Sequence, residues 1–221
     1  MLCIVYTYCE NMSYPDYDEI VPGLYLGNIE STKDYNFLKR NNIKYVISLT
    51  NNYVKFNPNE IKHIHFRVRD APYEDLISLF DICHSFINDG LSKGYGVLIH
   101  CDMGISRSST IVISYLMKKM KKPFADVFRR VRLRRPKVNP NFGFQAQLLL
   151  FDKMNYTRHG NNPYHALYHK FSLNDRSNDE LKFDVRGYIS HLSKLEGGYK
   201  PPTAYCRGGR VSYACATSKK Y

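Results

Sequence analysis

Along this chain, short apolar runs alternate with segments whose apolar residues recur at helical spacing. Ile20-Val21-Pro22-Gly23-Leu24-Tyr25-Leu26-Gly27 reads as a turn followed by a short strand. Ser31 suits the N-cap of a helix to about Asn41, with Tyr35 and Leu38 facing inward. Ile43 to Leu49 is rich in β-branched and apolar residues and predicts a buried strand, followed by a polar loop from Thr50 to Glu60. Ile64, Phe66 and Val68 then alternate with His65 and Arg67, the pattern of a half-buried strand. Asp70-Ala71-Pro72 breaks that pattern into a loop. From Glu74 to Leu91, Leu76, Phe80, Cys83 and Ile87 fall on one helical face, and Gly90, Gly94 and Gly96 mark its exit.

The second half repeats the alternation. Val97-Leu98-Ile99 is a short apolar run suited to a buried strand, and Ile111 to Met117 with its flanks is long enough for a helix. Pro123 fits a first helical turn, with Phe124, Val127, Phe128 and Val131 as the apolar stripe and Pro136 as the stop. Asn139 to Tyr156 predicts a further helix. Strands alternating with helices predict an α/β domain built on a central, largely parallel sheet flanked by helices. Beyond Tyr156 the character changes. Residues 157–221 are polar and basic, punctuated by Asn161-Asn162-Pro163, Gly197-Gly198, Pro201-Pro202 and Gly208-Gly209, with a weak apolar pattern around Leu181 to Leu195. They read as an extension partly ordered against the main domain.

Composition narrows the class. At 221 residues and 43% hydrophobic, the chain can bury a proper core. No apolar run approaches the length needed to span a bilayer. The start, MLCIVYTYC, is apolar but short, lacks a basic flank and makes a poor signal peptide, and Met12 is an alternative start. The cysteines (Cys3, Cys9, Cys83, Cys101, Cys206 and Cys215) form neither a dense framework nor a CxxC pair. That favours a reducing, intracellular compartment. The formal charge of +12 favours acidic partners without choosing among phosphopeptides, nucleic acid and anionic membrane surfaces.

Val97 to Met117 carries the chemistry. Between the predicted strand and helix lies His100-Cys101, five residues, then Arg107-Ser108, with Gly104 inside the interval. A strand feeding a helix through such a turn builds an anion site from converging backbone N–H groups and the helix N-terminus. Gly104 permits a backbone shape closed to residues with side chains. Arg107 supplies a planar fork for two phosphate oxygens. A thiol in so positive a field is held as thiolate, the nucleophilic form. Departure of an alkoxide or phenolate also needs a proton donor, and Asp70, in the loop after the Ile64–Val68 strand, is the candidate, with Asp75 and Asp81 as rivals inside the predicted helix.

The string matched at His100, Cys101, Gly104, Ser106, Arg107 and Ser108 resembles HCxxGxSRS, the signature of the dual-specificity branch of the protein tyrosine phosphatases. The segment GLYLGN resembles that branch's opening strand, and the resemblance runs roughly from Tyr17 to Tyr156, leaving 1–16 as a leader and 157–221 unassigned. It implies hydrolysis of phosphotyrosine and phosphoserine/threonine in proteins without metal or cofactor. Cys101 would be the nucleophile, Arg107 and the loop Asp102, Met103, Gly104, Ile105 and Ser106 the phosphate cradle, and Asp70 the general acid. Ser108 would assist the sulfur's departure in the second step. It also implies supporting roles for His100, which orients the loop, and Asn141, which braces it.

Basic residues crowd 118–137: Lys118, Lys119, Lys121, Lys122, Arg129, Arg130, Arg132, Arg134, Arg135 and Lys137. They read either as a solvated helix face or as a docking surface for an acidic partner or nucleic acid. RNA 5′-triphosphatases resemble the same Cys-x5-Arg architecture and are the alternative activity, but their usual HCTHGxNRTG string is absent and Asp102 would repel a multiply charged group. A phosphopeptide-binding pseudophosphatase is a third reading, although Cys101, Arg107 and Asp70 are all present. His165 and His169, one turn apart, lack any accompanying metal motif and read as a surface pair. Cys206 and Cys215 lack zinc spacing, and Cys83 reads as packing.

Overall fold

The computed structural model describes residues 15–172 and 182–195, so Cys3, Cys9, Cys206, Cys215 and all but the last two residues of the expected leader fall outside the described residues. In chain order the elements are β1 (Tyr17–Val21), β2 (Leu24–Gly27), a 3-10 turn (Glu30–Thr32), α1 (Tyr35–Arg40), β3 (Ile43–Leu49), β4 (Lys62–Phe66), α2 (Ile77–Ser92) and β5 (Gly96–His100). They continue with α3 (Arg107–Met120), α4 (Phe124–Arg134), α5 (Phe142–Lys153), α6 (Pro163–Phe171) and α7 (Val185–Leu195).

The five strands form one sheet in the order β1-β2-β5-β3-β4. β2, β5, β3 and β4 are mutually parallel, and β1 joins antiparallel to β2 across the Pro22-Gly23 turn, where Gly23 takes a positive φ of 78°. The predicted α/β class with a largely parallel sheet holds. The expected turn before the first strand is instead the connection of a hairpin. β1 (YDEIV) is an edge strand whose acidic positions mask its alternation.

β5 sits centrally and is buried along its length. Val97 and Ile99 pack into the large core under α2, α3, α4 and α5, while Leu98 packs on the opposite face with Phe37, Val46 and Ile61. A strand covered on both faces has no polar side to show, which is why Val97-Leu98-Ile99 is a continuous apolar run. Each such fully buried aliphatic side chain contributes about 1.5–3 kcal/mol. α3 runs through the interior: every residue from Arg107 to Met117 is buried, so its serines hydrogen-bond to protein groups, Ser108 to Cys101 Sγ, Ser109 to the Ile105 and Ser106 carbonyls and Ser114 to Ile111 O.

Near the N-terminus, α1 begins three residues later than the sequence pattern suggests. Asp34 caps it by accepting from Phe37 N, Ser31 is buried in the preceding 3-10 turn, and Phe37 faces the core in place of Tyr35, which is 63% exposed. The extension folds against the domain: α6 and α7 contact α5, and Phe171, Phe183, Val185 and Tyr188 join the large core. No helix among the described residues is long and apolar enough to cross a membrane.

Candidate active site

β5 ends at His100, Cys101 follows at its carboxyl end, and after five intervening residues Arg107 opens α3. The loop between them wraps the sulfur. Gly104 N donates to Cys101 Sγ at 3.2 Å and Ser108 Oγ at 3.1 Å, and Cys101 is only 1% exposed. Gly104 has φ +64°, and a Cβ there would press on the Gly27 carbonyl and the Arg135 guanidinium. Any side chain at this position would therefore be both strained and crowded.

The loop carbonyls are held outward. Asp102 O accepts from Ile29 N at 3.2 Å, Gly104 O from Arg135 Nε at 3.0 Å, and Ile105 O from Asn139 N at 2.9 Å and Ser109 Oγ at 2.6 Å. Ser106 O accepts from Thr110 N at 3.0 Å and Thr110 Oγ1 at 2.8 Å. Across a planar trans peptide the C=O and the following N–H point opposite ways. Fixing those carbonyls outward therefore turns the N–H groups of Met103, Ile105, Ser106 and Arg107 toward the loop centre, beside the N-terminus of α3. This is an anion cradle.

Arg107 is buried. Its Nη1 donates to Val68 O at 3.0 Å and its Nη2 to Asp102 Oδ2 at 2.6 Å, while Nε has no hydrogen-bond partner. The Asp70 carboxylate stands nearby, Oδ2 4.0 Å from that Nε. Asp70 Oδ1 accepts from Ser106 Oγ at 2.7 Å and Asn141 Nδ2 at 2.8 Å, leaving Oδ2 the more available oxygen. Asn141 also caps α5 by accepting from Phe144 N at 3.1 Å, and its own N–H donates to Ser106 Oγ at 3.0 Å. One asparagine thus ties the 101–107 loop, the Asp70 loop and a helix start together.

The rivals fare differently. Asp75 precedes α2 and is buried, accepting from Ser78 N and Ser172 Oγ, away from the cradle. Asp81 is tied to Arg158 and Lys118. His165 is buried rather than a surface residue, bonded through its ring to Asn162 Oδ1 and Thr157 O. Cys83 is fully buried, and burial pushes its thiol well up, as packing requires.

Two parts of the site are absent from the sequence reading. Arg135, counted there among surface cations, is a fully buried guanidinium paired with Asp18 and bonded to Gly104 O and Pro15 O. It fastens the apex of the 101–107 loop to the β1 edge. The second is a chain leading from His100, the neighbour of Cys101: Ser48 Oγ lies 2.6 Å from His100 Nε2 and 2.8 Å from His63 Nε2. A hydroxyl between two rings donates to one and accepts from the other, so the chain fixes the orientation of His100.

Burial pushes His100 down to about 4, with the Cys101 backbone opposing, and His84, behind Phe80 and Ser114, down to about 3. His100 is therefore neutral at pH 7. Because both folded values lie below the unfolded one near 6.5, the unfolded chain binds more protons below pH 6.5. Stability is full above that pH and falls as the solution is acidified toward 4. Between pH 7 and 5 each buried imidazole should cost about 2 kcal/mol of unfolding free energy. Urea titrations at both pH values check this; His84→Leu should remove one imidazole's share, and an unchanged slope would refute the burial argument.

Residues 24–154 match the family model described as the dual specificity phosphatase catalytic domain. Dual specificity protein phosphatase 1B of Arabidopsis thaliana is 40% identical over 138 residues, 62% of this chain and 83% of that protein. Human dual specificity protein phosphatase 6 is 35% identical over 137 residues, 61% of this chain but only 36% of its own length. Among solved structures, that of DUSP15 superposes with a TM-score of 0.62 at 32% identity, covering 72% of this chain and 98% of that one.

Proposed function

This chain belongs to the dual specificity phosphatase family, and from that premise we propose that it hydrolyses phosphotyrosine and phosphoserine/threonine in proteins through a phosphocysteine intermediate. The observation that carries the reading is Cys101 Sγ, buried at the floor of a loop whose N–H groups face inward, with Arg107 alongside. In the first step the thiolate attacks phosphorus as the bond to the leaving oxygen breaks, and Asp70 gives its proton to that oxygen. In the second, Asp70, now a carboxylate, takes a proton from water as the water attacks the phosphocysteine. The sulfur departs as thiolate, stabilised by the Ser108 hydroxyl at 3.1 Å. The cradle and Arg107 hold the charge spread over the phosphoryl oxygens in both steps.

The nucleic-acid alternative loses part of its footing, since Arg135 is buried in an ion pair and not available to a surface ligand. The test is hydrolysis by the purified chain, under chelator and reductant, of a phosphotyrosine/phosphothreonine peptide and of a 5′-triphosphate RNA in parallel. Phosphate release from the peptide supports the reading, and release from the RNA alone would replace it. Asp70→Ala should slow phosphoserine hydrolysis about 10²-fold or more, and an activated aryl phosphate far less, because a good leaving group departs without a proton. Equal slowing of both substrates would disqualify Asp70 as the acid.

A further inference from the structure

The loop that carries Asp70 is gripped from outside the family domain. From within that domain, Gly143 packs on the Pro72 backbone, closely enough that no Cβ would fit. Gln147, fully buried, donates to Glu74 O at 2.7 Å and accepts from Leu76 N at 2.8 Å and Ile77 N at 3.2 Å. The remaining ties come from residues past 154, where the family match ends. Phe183 N donates to Tyr73 O at 2.7 Å, and Lys182 forms an antiparallel bridge with Glu74. Ser172 Oγ donates to Asp75 Oδ2 at 2.8 Å and Tyr168 OH to the same oxygen at 3.4 Å.

These ties are internally braced. Ser172 and Phe183 pair antiparallel, Asp184 N donates to Phe171 O at 2.7 Å, and the Phe183 ring is buried edge-on against Tyr188. α6, the 182–184 strand-like segment and α7 therefore form one clasp. It takes hold three to five residues after Asp70, at Tyr73, Glu74 and Asp75.

We propose that this C-terminal clasp positions the general-acid loop, with Phe183, Ser172 and Tyr168 as positioning residues that set where the Asp70 carboxyl meets the leaving oxygen. The inference rests on Asp70 acting as the acid in the proposed reaction. Proton transfer in the transition state demands hydrogen-bond reach, and small displacements of a catalytic group cost large factors in rate. Nucleophilic attack depends on the Cys101 cradle, whose hydrogen bonds named above involve none of the described clasp residues. A loosened clasp should accordingly be felt only where a proton is needed.

The experiment uses the full chain with two independent variants, Phe183→Pro, which removes the N–H given to Tyr73 O, and the double variant Ser172→Ala/Tyr168→Phe, which leaves Asp75 without those two donors. Turnover is measured on phenyl phosphate, a poor leaving group, and on an activated nitrophenyl phosphate. Each variant should lose about tenfold in kcat on the first and stay within about twofold on the second, with KM unchanged. Placed in an Asp70→Asn background, the same substitutions should have no further effect on phenyl phosphate. Equal losses on both substrates, losses that persist without Asp70, or no loss in either variant would each overturn the clasp. If Asp70→Asn itself does not discriminate between leaving groups, the acid assignment has failed first. If the unaltered chain hydrolyses neither substrate, the functional reading falls and the clasp with it.

Discussion

Cys101→Ser should abolish turnover of every phosphomonoester, by at least about 10⁴-fold, while the protein still binds a phosphotyrosine peptide as tightly as before or tighter. The two halves have separate causes. In the proposed reaction binding resides in the loop N–H groups, whose carbonyls are held by Ile29, Arg135 and Asn139, and in Arg107, held by Val68 O and Asp102; of these contacts only the one from Gly104 N goes to the sulfur. Turnover in the proposed reaction requires a thiolate nucleophile; a serine hydroxyl is far less acidic than a thiol, and His100 Nε2 is turned to Ser48 rather than toward it. In the proposed reaction the attacking sulfur is a thiolate, whereas a serine hydroxyl carries no charge to repel the incoming phosphate. Acid quenching during turnover should trap phosphate on the unaltered protein and none on the variant. Near-normal hydrolysis by Cys101→Ser, or loss of peptide binding, would sink the assignment of Cys101 as nucleophile.

How much of this was legible in the sequence follows from how local each feature is. The strand β5, the loop and the start of α3 are contiguous, so Cys101, Gly104, Arg107 and Ser108 could be read from one string. Asp70 could be read because Pro72 closes a strand pattern just after it. Arg135 could not, because it stands in a run of cations and only its neighbours in space, Asp18 and Gly104, reveal it as buried. The His63-Ser48-His100 chain joins three strands and has no sequence spacing to announce it. α6 carried a usable signal: Asn162 caps it and Pro163 occupies its first turn, a pairing that marks a helix start rather than a break. Ser31 shows the reverse error, a hydroxyl that satisfies cap chemistry yet loses to Asp34 because Phe37, not Tyr35, must reach the core.

Arg107→Lys is the sharper test of how the cradle works, because it keeps the charge and removes the fork. The guanidinium makes two bonds at once, Nη1 to Val68 O and Nη2 to Asp102 Oδ2, and keeps Nε buried with no partner, 4.0 Å from Asp70. Val68 fixes the plane, so the remaining N–H groups reach a phosphate without reorganising. A lysine ammonium on a flexible stem satisfies either Val68 O or the phosphate, and it presents a point rather than two parallel donors. If the arginine contributed only Coulomb attraction, lysine would recover activity to within about tenfold of the unaltered chain. If preorganised bidentate stabilisation dominates, kcat should fall about 10³-fold or more, and KM should rise as well. The same variant leaves the buried Val68 carbonyl at risk of losing its donor, a cost of about 1–3 kcal/mol in stability. A melting curve taken beside the kinetics separates that loss from catalysis. A folded variant within tenfold of normal turnover would mean that the fork geometry at Arg107 is incidental and its charge sufficient.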